Sequence, residues 1–274
     1  MPNLSVIIIT QNEERNIERC LRSVVWADEI IIVDSFSTDR TLEIAKRFTQ
    51  HIYQFAYPGY SKQVQRGIDH AAGDWVFILD ADEEVSSELA ASIRNTICQP
   101  DAKDGYYVNR KVKAFGKWIE HGGWFPDWQF RLVRKDQCVA EHLEVHGAFT
   151  THGSKGKLEG LLYHYTYSTI EQYVEKMNDY TSLHVSNKLK DNPNIEVPWY
   201  KIVLSPLSYF LRMFIVKKGY KDGMHGFLLA VYSALYTLLL YAKVWEYRMR
   251  EKEGKGILPP ITNLDVQRVR TRLS

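Results

Sequence analysis

Residues 74–84 read DWVFILDADEE: an apolar run, Trp75 to Leu79, passes straight into Asp80-Ala81-Asp82. A short, unbroken apolar segment closed by polar residues reads as a strand buried on both faces. Two further runs of this kind lie upstream, LSVIIIT at 4–10 and EIIIV at 29–33, the second ending at Asp34. Helical patterns separate them. Residues 17–25 place Ile17, Leu21 and Val24 on one face, and 86–97 turn Leu89 and Ile93 inward. Ser37-Thr38-Asp39 has the oxygens of an N-cap and first turn for a helix over 41–48. Alternation of strand and helix predicts an open α/β sheet with parallel strands. Ligands bind such sheets beyond the carboxyl ends of the strands. Thr10, Asp34 and Asp80 each close an apolar strand, so three polar groups distant in sequence are expected at one crevice.

The composition agrees with a globular chain. Of 274 residues, 45% are hydrophobic and 25% charged, close to the ordinary average, which excludes a disordered, collagen-like or coiled-coil protein. Cys20, Cys98 and Cys138 are widely spaced with no C-x-x-C pair, which suits a reducing compartment better than a disulfide scaffold or structural zinc site. MPNLSVIIITQNEE has no basic n-region and does not read as a signal peptide. No P-loop motif is present, and no G-x-G-x-x-G follows the first strand, which argues against a P-loop NTPase and a dinucleotide fold. From 105 to 164 the chain is rich in Trp, Tyr, Gly and His, with short alternating runs expected to form antiparallel strands and loops. Residues 169–187 read as a helix with Ile170, Tyr173, Val174 and Met177 on one face.

The net charge of +2 conceals an asymmetry. Residues 199–274 carry 13 basic and 5 acidic side chains, against 22 and 28 in the other 198 residues. A basic C-terminal region suggests an anionic partner surface. Residues 201–223 read as one helix with a Gly stop, apart from a break at Pro206. Residues 224–242 contain no Asp, Glu, Lys or Arg, a borderline length for crossing a bilayer. Lys217, Lys218 and Lys221 precede this run and Lys243, Arg248 and Arg250 follow it. Positive flanks at both ends favour an in-plane or re-entrant helix pair on the cytoplasmic side; a core or oligomer helix and a true span are the alternatives.

Asp80-x-Asp82 after a buried strand suits a divalent cation, since Mg²⁺ and Mn²⁺ prefer oxygen ligands and are held by one or two carboxylates plus substrate phosphates. The same acids also suit a solvated loop or a cap for the helix at Ser86. Read with SVIIITQNEE and IIIVDSFSTDRT, the D-x-D resembles the bacterial inverting glycosyltransferases of family 2, most closely the lipopolysaccharide-core β-1,4-glucosyltransferases. WFPDWQFRL, AEHLEVHG and the DGMHGF region extend the likeness over almost the whole chain.

The resemblance implies a GT-A-type α/β fold: a mixed, mostly parallel central sheet with flanking helices, plus C-terminal amphipathic helices. Residues 1–104 would form the nucleotide-sugar half and 105–197 the acceptor-binding and catalytic half of one domain. Residues 198–250 would be membrane-associating or oligomerising helices, and 251–274 a basic tail. It implies a metal-dependent transfer of a sugar, first of all glucose from UDP-glucose, onto a lipopolysaccharide-core or other lipid-linked acceptor. The enzyme would be cytoplasmic and peripheral on the inner membrane's cytoplasmic face, bound to its anionic surface, with Mn²⁺ or Mg²⁺ as cofactor and no nucleic-acid partner. Thr10, Asn12 and Glu14 would line the base and ribose site, and Asp34, with Ser37 beside it, would accept hydrogen bonds from the nucleoside. Asp82 would bind the metal, and Asp80 the ribose or a metal-bound water. Inversion requires a carboxylate to take the acceptor's proton; Glu141, in Ala140-Glu141-His142, is the first choice and Asp127 the second, with Glu144 on the opposite face of a strand. The family's Gln-Lys-Asn loop is represented between Gly59 and Gly67 by Gln63 alone, with Lys62 and Arg66 near enough to supply charge or to sit on a solvated helix face. His164 matches a position where family members carry a histidine and would be a third metal ligand, a structural histidine being the alternative; Tyr173 and Lys176 follow it and would reach the diphosphate. Trp124, Phe125 and Trp128 form either a sugar platform or core. A sugar-phosphate nucleotidylyltransferase is the alternative enzyme, disfavoured by the acidic QNEERN after the first strand; a non-enzymatic membrane- or nucleic-acid-binding module using Arg268, Arg270 and Arg272 is the other.

Overall fold

The structure, a computed structural model, describes residues 2–141 and 148–254. These fall into two compact units, one of residues 2–112 and 126–166, the other of 113–125 and 167–254. In chain order the elements are β1 (Leu4–Thr10), α1 (Ile17–Arg22), β2 (Glu29–Asp34), α2 (Thr41–Ala45), β3 (Ile52–Gln54), α3 (Tyr60–His70), β4 (Trp75–Asp80), β5 (Glu83–Val85) and α4 (Ser87–Ile97). There follow β6 (Gly105–Ala114), β7 (Lys117–Trp118), β8 (Asp127–Arg134), β9 (Val139–Glu141), β10 (Ala148–Thr150), β11 (Lys155–Tyr167), α5 (Ile170–Asp191), α6 (Trp199–Leu211) and α7 (Met224–Lys252).

The central sheet runs β3-β2-β1-β4-β8-β6-β11-β5, with β7 paired to β6. β3, β2, β1 and β4 are parallel, and β8 enters antiparallel to β4. The fold is thus the expected mixed α/β sheet with flanking helices. All seven residues of β1 are buried, as a strand covered on both sides requires. Its side chains alternate between two cores. Val6 and Ile8 join Ile17 and Leu21 of α1 and Leu89 and Ile93 of α4 on one face. Ile7 and Ile9 join Val64 and Ile68 of α3 on the other. α3 comes close because residue 67 is glycine: a Cβ there would stand 2.2 Å from Ile7 Cγ2.

The stretch from Gly59 to Gly67, read as a loop, forms most of α3, and α1 and α2 end three residues short of their expected limits. Ser86 caps α4 by accepting from the Leu89 amide (3.1 Å). In the helical unit, α5 buries Tyr173, Met177, Thr181 and Val185, while Ile170 and Val174 are exposed. The inward face is therefore turned from the one expected, because Thr181 supplies its next step. α6 continues through Pro206 to Leu211 and into a π-helical turn over Arg212–Val216. α7 runs on past Ala242 to Lys252, and Lys243 donates to the Asn178 carbonyl (2.7 Å), Thr181 (2.8 Å) and Ser182 (2.7 Å) of α5. By length and composition alone α7 is apolar enough to cross a membrane.

Candidate functional site

β1 lies between β2 and β4 in parallel register, with Thr10 opposite Asp34 and Ile9 opposite Asp80. Two strand spacings put the Asp34 and Asp80 backbones about 10 Å apart at the same sheet end. The three strand-end residues expected to share a crevice therefore do lie side by side.

The turns after β1 and β2 are latched together. Ser37 Oγ accepts from the Asn12 amide (2.8 Å), and Asn12 Oδ1 accepts from the Thr38 amide (2.7 Å). Asp39 accepts from the amides of Glu14 (3.0 Å) and Thr41 (3.0 Å), and Glu14 accepts from the Arg40 amide (3.1 Å). Asp39 and Glu14 together thus satisfy the Thr41 and Arg40 amides at the opening of α2. Asp34 is fully buried and accepts from the Ser37 amide (2.9 Å), Gln54 Nε2 (3.0 Å) and the Ser37 hydroxyl. Thr10 Oγ1 and Gln11 Oε1 are buried with no protein hydrogen-bond partner. Asn12 and Phe36 both take left-handed backbone conformations (φ 52° and 60°), and Phe36 is 54% exposed. Asn adopts that geometry readily and an aromatic residue rarely, so the turn at Phe36 is held by its neighbours' hydrogen bonds rather than by local preference. Lys62 is exposed on α3, whereas Arg66 donates to the Ala56 carbonyl (2.8 Å) and stacks over Phe55.

At the end of β4 the chain makes a tight turn into β5. Glu83 is fully buried, and one of its oxygens accepts from the Asp80 amide (3.0 Å). Arg131 reaches the turn from β8, donating from Nη2 to Asp80 (2.9 Å) and Glu83 (2.7 Å) and from Nη1 to the Tyr60 hydroxyl (2.9 Å). Burial pushes the Glu83 carboxyl up from its ordinary value; Arg131 opposes this and Asp80 adds to it. Asp82 pairs with His164 of β11 (Oδ2 to Nε2, 3.1 Å). Burial works against a charged imidazole, but Asp82 outweighs it and holds the His164 pKa above its ordinary value. His164 Nδ1 is buried without a hydrogen-bond partner.

Asp127 accepts from Arg110 Nε (2.8 Å) and Gln129 Nε2 (2.7 Å). The backbone of Glu141 closes β9, opposite Ala148; its side chain, and His142, Glu144 and His146, lie outside the described residues, as does the arginine-rich tail. Tyr173 and Lys176 belong to the helical unit. Tyr173 is packed against Phe115, Tyr167 and Tyr232, where burial pushes its hydroxyl up to about 12, and the Lys176 ammonium lies 5.6 Å from the Tyr167 ring centre. Trp124 also packs in that unit's core.

Glu83, Arg131 and Arg110 were not read from the sequence as site residues. The available signal was an arginine inside the apolar strand run Phe130-Arg131-Leu132-Val133, since a charge in such a position requires a buried partner.

The chain matches the family model described as glycosyl transferase family 2 over residues 5–152. It is 27% identical over 255 residues to the lipopolysaccharide core biosynthesis glycosyltransferase LpsC of Rhizobium meliloti (strain 1021), covering 89% of this chain and 92% of that one. It is 29% identical over 271 residues to an uncharacterised glycosyltransferase of Rickettsia typhi, covering 92% and 90% of the two chains. Among solved structures it is similar to S. aureus TarS 1-349 in complex with UDP-GlcNAc, at 16% identity and a TM-score of 0.44 over 92% of each chain.

Proposed function

We propose, on the premise that this chain belongs to glycosyl transferase family 2, that it moves glucose from UDP-glucose, with inversion, onto a lipopolysaccharide-core or other lipid-linked glycan at the cytoplasmic face of the inner membrane. The observation that carries this reading is the β2-β1-β4 register, which gathers Thr10, Asp34 and Asp80 at one sheet end with Asp82 just beyond. The unpartnered oxygens of Thr10 and Gln11 suit the donors of a nucleobase or ribose. Asn12, Glu14 and Ser37 hold the turns that shape this end, and Asp34 keeps a lone pair free for the nucleoside, since a carboxylate accepts about four hydrogen bonds and three are taken. Lys62 is free to approach the diphosphate. Tyr173 and Lys176 remain assigned to the same ligand by family likeness alone. The acceptor is inferred from the similarity to a lipopolysaccharide core enzyme.

Among the described residues no three or more His, Cys, Asp and Glu side chains gather into a metal cage. A hard cation held mainly by phosphate oxygens needs only one or two protein donors. Asp82 and His164, already 3.1 Å apart, fit that need; Asp80, held by Arg131, is assigned beside them by family likeness. Bound there, Mn²⁺ or Mg²⁺ supplies positive charge to the departing diphosphate. Glu141 is assigned to take the acceptor hydroxyl proton; Asp127, held by Arg110, is the second choice.

The test is UDP release from UDP-glucose with lipopolysaccharide core as acceptor, with Mn²⁺ or with EDTA. Chelation and Asp82→Ala are each expected to lower turnover by about 10²–10³-fold, the scale of losing one major electrostatic stabiliser. Unchanged turnover in Asp82→Ala overturns the metal role. Pyrophosphate release from a nucleoside triphosphate and a sugar phosphate would reassign the chain as a nucleotidylyltransferase.

A further inference from the structure

Among the described residues of the helical unit, one side of α6 is uncovered. Trp199, Tyr200, Val203, Leu204, Leu207 and Leu211 are 75%, 48%, 56%, 57%, 56% and 42% exposed. Their spacing follows the 3.6-residue turn, so they form one stripe along the helix. Ile215 and Val216, 56% and 73% exposed, continue it, for a length of about 27 Å at 1.5 Å per residue. The edge of the stripe is already packed: Phe210 and Phe214 lie edge-on to Phe227 of α7. A globular helix turns its apolar side inward. Here the apolar side that remains faces out, and a contiguous exposed apolar surface marks an interaction site.

The charges around the stripe say what covers it. Residues 198–245 hold six Lys and Arg and a single acid, Asp222. That acid is only 4% exposed: it accepts from the amides of His121 (2.8 Å) and Glu120 (3.1 Å), and Lys117 Nζ lies 3.8 Å away. No carboxylate of this stretch therefore reaches the surface beside the stripe. Of the six cations, Lys243 is bound to α5, while Lys201, Arg212, Lys217, Lys218 and Lys221 are exposed. Lys201 and Arg212, three helical turns apart, share a line along one flank of the stripe. The three lysines close its C-terminal end, and Trp199 with Tyr200 begins it.

We infer that this face of α6 lies in the headgroup layer of an anionic bilayer, with the apolar stripe inserted and the five cations against lipid phosphates. An in-plane helix with aromatic and aliphatic residues on one side and Lys or Arg bordering them binds in this way. A second copy of the chain suits the surface poorly, because a two-fold interface sets the same patch against itself and would oppose five cations to five. The inference deepens the proposed placement at the membrane face and rests on that placement, while its failure is distinguishable from failure of the transferase chemistry, since lipid binding is measured without turnover.

The test is sedimentation of the full chain with phosphatidylcholine vesicles, with and without about one-third phosphatidylglycerol. Binding to the anionic vesicles is expected to exceed binding to the neutral ones by at least about tenfold and to weaken with salt. The pair Val203→Glu and Leu207→Glu is expected to remove it while leaving the far-UV circular dichroism unchanged. Because that pair carries a folding risk, Lys217→Gln, Lys218→Gln and Lys221→Gln together provide a second arm, expected to weaken anionic binding by about 10²-fold. Equal binding to both vesicle types, or full binding by both variants, overturns the inference. A lipid-free dimer that Val203→Glu and Leu207→Glu dissociates would assign the face to a second copy, and retention of the cell-expressed protein in membranes through an alkaline carbonate wash would assign the segment to a span; either result overturns it.

Discussion

Glu83 of the sheet unit and Asp222 of the helical unit are both buried acids, and the two are answered differently. Glu83, in the sheet unit, is fully buried against Arg131 at 2.7 Å, with Arg110 at 3.6 Å and one backbone amide. Asp222, in the helical unit, is answered chiefly by two backbone amides at 2.8 and 3.1 Å, with the His121 ring nitrogen at 3.5 Å and the Lys117 ammonium at 3.8 Å. The first arrangement is charge against charge, and its guanidinium also holds Asp80, a residue of the proposed donor site. The second ties the segment around 120 to the turn before α7. A buried acid met by guanidinium shapes a functional turn here, whereas a buried acid met by amides fastens a loop.

The difference is broken most directly at Arg131. Arg131→Leu leaves Glu83 and Asp80 facing each other without their shared cation, and removing one partner of a buried pair costs about 3–5 kcal/mol. Urea unfolding of the variant should show that loss. The double variant Arg131→Leu with Glu83→Leu should recover much of it, because no buried charge is then left alone. A loss below about 1 kcal/mol in the single variant would mean that the pair behaves as a solvated one.

The same contrast explains what could be read from the sequence. The strands 4–10, 29–34 and 75–80 were legible because Ile and Val runs of that length leave few alternatives, and their carboxyl ends then had to meet. Asp34 and Asp80 were legible for the same reason. Arg131 was legible only as a charge in an apolar run that needs a buried partner; which acid meets it is decided by the pairing of β8 with β4. α3 was obscured by Gly59 and Gly67, which read as loop punctuation, although Gly67 is needed where α3 meets Ile7. In α5 the face was misplaced because Ile170 and Val174 are apolar yet exposed, while the inward step falls on Thr181, whose hydroxyl donates to the Asn178 carbonyl (2.8 Å). The outward stripe of α6 was beyond reach, since the sequence shows that a helix is apolar but not which side its neighbour covers.

Asp222 offers the intermediate effect. Asp222→Ala orphans the amides of Glu120 and His121, and an unsatisfied buried donor costs about 1–3 kcal/mol. Asp222→Asn keeps one carbonyl oxygen for those amides and should lose less. Thermal unfolding that ranked the two variants the other way would show that Lys117 and His121, rather than the amides, set the role of this acid, and the contrast with Glu83 would fail.

The smallest effect lies at the surface, where an acid has amide and guanidinium partners at once. Asp28 accepts from the Leu4 amide (2.8 Å) and from Arg94 (2.9 Å), with its side chain 37% exposed. Burial pushes its carboxyl up, but the Arg94 and Leu4 hydrogen bonds outweigh this and hold it below its ordinary value. A folded pKa below the unfolded one adds stability that is present above the unfolded value, about 3.9, and disappears as pH falls through the folded one. At this exposure, solvent screening limits the contribution to about 0.5–1 kcal/mol. The stability difference between the native chain and Asp28→Asn should therefore be largest near neutral pH and close as the pH falls below about 4. A difference that stays constant to acid pH would assign the role of Asp28 to its geometry at the start of β1, with no share for its charge.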